Sequence, residues 1–344
     1  MGERHGMPSL SPSLQDRGGQ AGILRDSRKP RRKDVGLQLR SGMLHSQGPG
    51  GEETYLSLPS RLQSAVFGLI RLQYALQELP KRDAVQARPG EVPEEKWSPK
   101  GIVELALKKG VDGLGWTFNE PITWGEFLLV TSRIARENGL YSLMNTNGYV
   151  EKRPLEEMVE TIEVMNIDVK GFTEEFYRDN CGASLEQVLD TCRHVYRSKV
   201  HVELTYLLIP GLNDSSDEVR EFCLWVVQNL SSNVPVHFFR FQPFHLLFHL
   251  QEQSITKMKE AYRIARESGI KFPYLAGVIG DTNQNTYCPD CGALLIARTS
   301  EEVAEKVIAK GEEVSRFCPT YAKVDMRITH PRCPTCGTDI PLFL

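Results

Sequence analysis

Residues 200–217 read VHVELTYLLIPGLNDSSD, and this stretch has the pattern of a strand, a turn and a helix start. Its first nine residues, Val200–Leu208, are mostly β-branched and apolar with alternating polar positions, which predicts a strand. Pro210 and Gly211 end the strand, and Ser215 with its polar neighbours is typical of a helix N-terminus. A strand that passes through a short turn into a helix is the repeating unit of a parallel α/β sheet.

The same unit recurs through residues 89–285. Strands are predicted at 113–118, 141–144, 165–169, 200–208, 234–241 and 271–275, and helices at about 99–106, 123–138, 154–163, 184–197, 215 onward and 254–268. About six such units predict a partial or complete TIM-type (β/α) barrel with right-handed crossovers. In these barrels the chemistry lies at the carboxyl ends of the strands.

Composition narrows the function classes. A length of 344 residues allows one large α/β domain with a small appendage, and a net charge of −3 gives no general attraction to nucleic acid. No apolar run approaches the ~20 residues of a membrane span, and a signal-peptide layout is not evident. Four of the eight cysteines form C-x2-C pairs, which indicates metal ligation in a reducing cytoplasm.

Residues 1–88 have the composition of a disordered segment. Gly, Ser, Pro, Gln and Arg dominate as far as Gly51, and the basic run 29–33 is interpreted as solvated. Residues 58–79 have the spacing of a weak amphipathic helix. We therefore expect residues 1–85 not to pack on the barrel.

Polar motifs follow the first two predicted strands of the barrel. Asn119, Glu120 and Pro121 come after the first strand, where the carboxylate could accept from an ammonium group or from ribose hydroxyls. The alternative is that this motif caps the next helix. Asn147 and Gly148 follow the second strand.

Further polar motifs follow the next two strands. Asp168 and Lys170 end an apolar strand, either as functional groups or as a salt bridge at the rim. Pro210 and Gly211 follow Val200–Leu208, and Asn213 or Asp214 is a candidate helix cap. His245 and His249 stand four residues apart, but their apolar surroundings favour a structural segment over a metal pair.

These motifs, in their order along the chain, resemble the pyruvate formate-lyase activating-enzyme branch of the radical S-adenosylmethionine (SAM) proteins. The motifs are N-E-P, T-N-G-Y, D-V-K-G-F, E-L-T (from Glu203) and I-P-G-L-N-D. The radical SAM enzyme of the AmmeMemoRadiSam system resembles this chain most, because it shares the C-terminal cysteine motifs as well. The resemblance covers about residues 90–344. It implies SAM contacts by Asn119 and Glu120, a pocket lined by Asn147, Asp168 and Lys170, and a rim shaped by Pro210 and Gly211.

The C-terminal region, residues 286–344, carries two C-x2-C knuckles. Cys288 with Cys291, and Cys333 with Cys336, are each followed by Gly. Four thiolates form a closed tetrahedral site, so the pattern predicts a structural Zn²⁺ ion in a zinc-ribbon-like segment. Iron in the same sulfur geometry is the chemical alternative.

One expected motif is missing. Radical SAM enzymes hold a [4Fe–4S] cluster on C-x3-C-x2-C, and no such motif occurs here. Leu72, Leu76 and Leu79 have the same spacing as those cysteines. If these leucines are encoded by CTG, a shift of one base reads the segment from Leu72 as C-N-M-R-C-K-N-C, and the same shift turns residues 47–54 into K-D-P-V-E-K-K-P. We therefore predict a frameshift between Gln77 and Arg88.

The predicted function is that of a radical SAM enzyme that cleaves SAM reductively to a 5′-deoxyadenosyl radical, and the chain as given is expected to be inactive. An electron donor such as ferredoxin or flavodoxin and a possible protein substrate are implied by the resemblance. Two other classes remain open. One is a SAM-independent barrel lyase or aldolase with Lys170 as its Schiff-base residue, and the other is a non-catalytic zinc-ribbon binding module on a barrel scaffold.

Overall fold

The computed structural model describes most of the chain beyond residue 93 and two short strands before it. The described residues are 37–40, 64–68, 94–117, 120–243, 247–278, 281–298, 325–328 and 331–341. All of them belong to one compact unit, residues 36–344. Leu72, Leu76, Leu79, Asn119, His245 and Cys318 lie outside the described residues, as does the charged insert after residue 299.

The described residues form twelve strands. They are β1 (Leu37–Arg40), β2 (Ser64–Gly68), β3 (Glu94–Trp97), β4 (Gly113–Thr117), β5 (Tyr141–Thr146), β6 (Val164–Val169), β7 (His201–Leu208), β8 (Val236–Arg240), β9 (Pro273–Ala276), β10 (Thr286–Tyr287), β11 (Leu294–Ala297) and β12 (Asp325–Met326).

Six long helices alternate with the strands of the barrel region. They are α1 (Pro99–Lys109), α2 (Gly125–Glu137), α3 (Lys152–Val159), α4 (Leu185–Arg197), α5 (Ser216–Asn229) and α6 (Ile255–Glu267). A 3-10 turn (Pro121–Trp124) precedes α2, and a short helical turn (Glu174–Phe176) continues into a π-helical turn (Tyr177–Cys181) before α4. No helix among the described residues is both long and apolar enough to cross a membrane.

Local sequence explains where these helices begin. The hydroxyl of Ser98 accepts from the backbone N–H of Gly101, and Pro99 occupies the first helical position of α1. Ser215 and Ser254 cap α5 and α6 in the same way. At the other end of α1, Gly110 adopts φ 68°, which favours glycine because it has no Cβ. Serine caps therefore set the point at which each of these strand–turn–helix units enters its helix.

The main sheet has seven parallel strands in the order β2-β4-β5-β6-β7-β8-β9. Within this sheet, each strand neighbours the next sheet strand along the chain, as in a (β/α) barrel, and β2 and β9 form the two edges; β3 pairs with β1 in a separate two-stranded sheet. The structure confirms the predicted fold class of a parallel α/β partial barrel with a C-terminal cysteine cluster.

The segment before the barrel differs from its prediction. Ser64–Gly68 is a strand rather than part of a helix, and it pairs in parallel with β4 from Ser64 opposite Gly113 to Gly68 opposite Thr117. The expectation that residues 1–85 do not pack on the barrel is wrong for this strand. A short apolar run suits the open edge of β4, where tertiary pairing overrides a weak helical pattern. The frameshift proposed for residues 1–88 stays a prediction.

The two faces of the sheet differ in chemistry. The face toward the helices carries the main apolar core, with Met165, Ile167, Leu204, Tyr206 and Phe238 almost fully buried. The residues that alternate with these on β5–β8 include polar side chains that hydrogen-bond across strands. One face of each strand thus stabilises the fold, and the inner face is available for chemistry.

The C-terminal region forms a second, smaller sheet with antiparallel order β10-β11-β12. Its core contains Cys288, Leu295, Ile296, Ile328, Cys333 and Ile340. Phe272 and Tyr274, at the start of the last barrel strand, belong to the same apolar cluster. The cysteine-containing segment therefore packs directly on the edge of the main sheet.

Candidate functional site

Glu120 joins the ends of β4 and β5. Its Oε1 accepts from the Thr146 hydroxyl at 2.7 Å and from the Ile122 backbone N–H at 3.3 Å, and its Oε2 accepts from the Asn147 backbone N–H at 2.8 Å. The carboxylate thus caps the 3-10 turn, which was the alternative reading of N-E-P, and also anchors the loop of the next strand. Pro121 is buried at the first position of this turn.

The loop after β5 is a tight turn built on Asn147 and Gly148. The side-chain Oδ1 of Asn147 accepts from the Tyr149 backbone N–H at 2.8 Å. Gly148 has φ 71°, and a Cβ there would lie 2.8 Å from Cγ2 of Ile167. A glycine is needed because the turn is both left-handed and pressed against β6.

The end of β6 carries a hydrogen-bonded polar group on the inner face. Nζ of Lys170 lies 2.6 Å from Oδ2 of Asp168, and Nδ2 of Asn145 donates to Oδ1 of Asp168 at 3.2 Å. Nδ2 of Asn145 also donates to Oδ1 of Asn166, which accepts from the Thr205 hydroxyl at 2.8 Å. This set links three neighbouring strands and is part-buried, so a ligand at this edge would meet a carboxylate, an ammonium and two amides.

Asn213 ties the loops after β6 and β7 together. It is 1% exposed, its Nδ2 donates to the carbonyls of Lys170 and Leu207 at 2.7 Å each, and its Oδ1 accepts from the Ile209 backbone N–H at 2.7 Å. All the hydrogen-bonding capacity of its amide is used inside the protein, apart from one acceptor lone pair. Asn213 is therefore a structural amide, which places Pro210–Gly211 beside Lys170.

A carboxylate in the first turn of α5 reinforces this connection. Oε1 of Glu218 accepts from the Phe172 backbone N–H at 2.7 Å and lies 2.8 Å from the Tyr206 hydroxyl. The same hydroxyl lies 3.0 Å from the Asn213 carbonyl oxygen. One side chain thus holds the loop after β6 and the strand β7 at once.

The predicted site residues within the described part of the chain therefore fall at the carboxyl ends of four adjacent parallel strands, β4 to β7. Glu120, Asn147 and Gly148 meet at the ends of β4 and β5, and Asp168, Lys170 and the loop of Gly211 meet at the ends of β6 and β7. Asn145, next to Thr146 on β5, connects the two groups.

Sequence reasoning missed a second polar group, deeper on the inner face. Glu203 is fully buried, and its two carboxylate oxygens lie 2.9 Å from Nε2 of His201 and 2.6 Å from Nε2 of His237. Burial alone would raise the pKa of the Glu203 carboxyl, but the hydrogen bonds from the two histidines outweigh it and lower the pKa to about 2. The polar alternation His201, Glu203, Thr205 within an apolar strand was the available signal.

The four C-terminal knuckle cysteines converge on one point. Sγ of Cys288 lies 3.5 Å from Sγ of Cys336, and Sγ of Cys291 lies 3.7 Å from Sγ of Cys333; all four sulfurs lie within 4.8 Å of one another. An ion with sulfur ligands at ~2.3 Å places those sulfurs ~3.8 Å apart in a tetrahedron. The four-cysteine group therefore can hold a single metal ion, and the separations are too long for disulfides.

The thiol pKa values within the four-cysteine group shift in opposite directions. Hydrogen bonding by Thr338 lowers the pKa of the Cys336 thiol to about 6, so a thiolate forms there near neutral pH. For Cys291, a backbone hydrogen bond from Ala293 lowers the pKa, but desolvation and the neighbouring sulfurs outweigh it and raise the pKa to about 12. A bound cation would replace the protons that these sulfurs retain.

Comparison with protein-family models finds no match. Among curated proteins, the uncharacterized protein MJ0808 of Methanocaldococcus jannaschii is 40% identical over 259 residues, which cover 75% of this chain and 72% of that protein. The pyruvate formate-lyase 1-activating enzyme of Escherichia coli K12 is 25% identical over 100 residues, which cover 28% of this chain and 41% of the enzyme. Over these 100 residues the chain is homologous to an activating enzyme of the radical SAM superfamily. It shares a family with the archaeal protein and matches about two fifths of the length of the activating enzyme.

Among solved structures, the chain is similar to a domain of a pyruvate-formate lyase-activating enzyme from Bacteroides vulgatus. It superposes with a TM-score of 0.42 and 18% identity, covering 48% of this chain and 98% of that domain.

The radical SAM superfamily implies SAM and a [4Fe–4S] cluster, and the residues present do not fit the cluster. The chain contains no cysteine before Cys181. Cys192 and Cys223 are buried thiols whose pKa is raised by desolvation to about 12. Within the described part of the chain, the C-terminal four-cysteine group is the one metal-ligating set. The cluster ligands of an active radical SAM enzyme are therefore lacking from this amino-acid sequence.

Proposed function

We propose that the intended gene product is a radical SAM enzyme of the activating-enzyme type, which cleaves SAM reductively to methionine and a 5′-deoxyadenosyl radical. The observation that supports it is the hydrogen-bonded edge at the ends of β4–β7, where Glu120, Asn147, Asp168 and Lys170 lie in the order of the activating-enzyme motifs. The enzyme of the AmmeMemoRadiSam system is our preferred subgroup, because that resemblance extends through both C-terminal knuckles.

The residues of this edge have distinct proposed roles. Lys170 and Asp168 present opposite charges 2.6 Å apart, which suits the ammonium and carboxylate of the SAM methionyl group. Asn119 and the loop of Asn147–Gly148 would contact the remainder of SAM, and Pro210–Gly211 would shape the rim beside it. Glu120 acts on SAM through its hold on the Asn147 loop, since its oxygens already accept three hydrogen bonds.

The present chain would be an inactive form of that enzyme, because Leu72, Leu76 and Leu79 stand where a shift of one base would place the three cluster cysteines. A [4Fe–4S] cluster, when bound, supplies the electron for SAM cleavage, and ferredoxin or flavodoxin is the proposed donor. The proposed substrate is a protein, as the activating-enzyme resemblance implies. We further propose Zn²⁺ at the four-cysteine group and a cytoplasmic location, where thiolates stay reduced.

The deciding experiment is to sequence the DNA across codons 45–90 and to express the frame-restored protein anaerobically. We expect the restored protein to show the visible absorbance of an iron–sulfur cluster and, with a strong reductant, to form 5′-deoxyadenosine from SAM. Glu120→Ala in that protein should weaken SAM binding, and the exposed Glu157→Ala should leave it unchanged. A restored protein that holds a cluster yet makes no 5′-deoxyadenosine contradicts the proposal.

The aldolase alternative has less support from the geometry. A Schiff-base lysine has to supply an unprotonated amine in a desolvated pocket. Nζ of Lys170 instead forms an ion pair with Asp168, and its side chain is 38% exposed. Borohydride trapping of a carbonyl substrate on Lys170 would be the result that revives this alternative.

A further inference from the structure

The four-cysteine segment comprises the described residues 286–298, 325–328 and 331–341. It contacts the inner face of the barrel at Tyr274. This side chain belongs to the last barrel strand, β9, and is 2% exposed in a cluster with Cys288 and Cys333. Its hydroxyl lies 2.9 Å from the Thr286 hydroxyl, two residues before Cys288. The side chain of Tyr274 is therefore held by the four-cysteine segment, close to the ligand Cys288.

Arg298 strengthens the same connection from the end of β11. Its guanidinium carbon lies 5.5 Å from the centre of the Tyr274 ring, within the range of a cation–π contact. Nη1 of Arg298 also donates to the Thr286 hydroxyl at 2.7 Å. Residues from both sides of the β10–β11 hairpin, Thr286 on β10 and Arg298 directly after β11, thus hold Tyr274 in place.

On its other side, Tyr274 contacts the buried imidazole–carboxylate group. Its ring stacks on His237 with centroids 5.1 Å apart and planes 17° from parallel. Nε2 of His237 lies 2.6 Å from Oε2 of Glu203. The hydrogen bond holds one edge of the imidazole and the stack holds its plane, so the orientation of His237 depends on both neighbours.

His237 also adjoins the edge of the candidate site. In the sheet register Asp168 stands opposite Thr205, Thr205 opposite His237, and His237 opposite Tyr274. The row runs from the polar group of Lys170 and Asp168 to the cysteine segment without a break. A movement of Tyr274 would therefore act directly on His237, which lies in the same row of the sheet as Thr205 and Asp168.

We propose that the four-cysteine segment is a metal-dependent wall of the barrel that positions the imidazole of His237. In small cysteine-rich segments the free energy of metal binding is folding free energy. The apolar cluster of this segment is small, whereas the main core behind the parallel sheet is large and separate from it. Loss of the metal should loosen the segment and free His237 while the helices stay folded. This inference does not depend on SAM chemistry.

Histidine side-chain NMR on the present chain tests the proposal. Protein labelled in its histidines is compared in the zinc-loaded form, after chelation, and after equimolar Zn²⁺ is returned, with His237→Gln used only to assign the signal. We expect the His237 side-chain resonances to shift or broaden on chelation and to recover with Zn²⁺. Signals of His194, on α4, should stay unchanged, and far-UV circular dichroism should keep its helical intensity.

A second variant separates the proposed path from general loosening. Tyr274→Leu removes the stacked ring, so its metal-loaded form should show His237 signals like those of the chelated protein, and chelation should add little further change. Tyr196→Leu, on the exposed part of α4, is the matched control and should behave like the unaltered chain.

Two results would overturn the proposal. One is an unchanged His237 signal in protein that elemental analysis shows to be free of metal. The other is cooperative loss of the helical signal on chelation, since the metal would then hold the whole fold rather than one wall.

Discussion

The Glu203→Gln variant tests the energetics of the buried carboxylate. Glutamine keeps the shape of the side chain but removes the charge, so the two contacts to His201 and His237 lose their charge assistance. The carboxyl pKa is about 2 in the folded protein against an ordinary value of 4.5. That difference of roughly 2.5 pKa units corresponds to on the order of 3 kcal/mol of folding free energy at neutral pH.

The sign of the pH dependence follows from the lowered pKa. Because the folded-state pKa of Glu203 lies below its unfolded value, its contribution is present above about pH 4.5 and is lost as the pH falls toward 2. The free energy of unfolding of the variant should therefore fall below that of the unaltered chain by on the order of 3 kcal/mol at pH 7, and the gap should narrow in that acidic window.

Urea unfolding at a series of pH values, followed by circular dichroism, measures this gap. Glu157→Gln serves as the control, because Glu157 is about half exposed and its ion pair with Arg133 spans 3.8 Å; exposed pairs contribute about 0–1 kcal/mol. A difference between unaltered chain and Glu203→Gln that stays constant from neutral to acidic pH would refute the reasoning.

Three further predictions concern single side chains. Asn213→Ala should lower the free energy of unfolding by about 2–4 kcal/mol in urea titrations, because it leaves the buried carbonyl of Lys170 and its neighbours unpaired; Asn229→Ala, on an exposed helix end, should cost under about 1 kcal/mol. Gly148→Ala should cost about 1–3 kcal/mol in the same assay, because of its positive φ and the close approach of Ile167, and an unchanged midpoint would contradict this. Cys336→Ser should reduce the zinc bound per chain, measured by elemental analysis after dialysis, whereas Cys181→Ser should not; equal zinc content in both would count against the four-cysteine site.

Most of the barrel could be predicted because its strands and helices have strong local signals. The predicted strand over residues 200–208 corresponds to His201–Leu208, and the helix at 184–197 to Leu185–Arg197. Ser98, Ser215 and Ser254 mark helix starts by their own chemistry. The strand Ser64–Gly68 could not be predicted, since its pairing depends on the open edge of β4 rather than on its own pattern.

The site could be predicted only where its residues follow strands directly. Asp168 and Lys170 stand two positions apart, so the sequence predicts either a functional pair or a salt bridge there, and the structure shows the ion pair. The contact of Glu203 with His237 spans 34 positions and depends on the register of β7 against β8. No periodicity in either strand alone could reveal that partnership.

The carboxylate of Glu218 has a consequence for motion at the rim. Because one oxygen of Glu218 accepts from Phe172 and contacts the hydroxyl of Tyr206, which in turn lies 3.0 Å from the carbonyl oxygen of Asn213, the loops after β6 and β7 are linked and should not open independently of each other. They should exchange their amide hydrogens as a single unit, with slow and similar rates. A large substrate could then enter on this side of the rim only if both loops moved together.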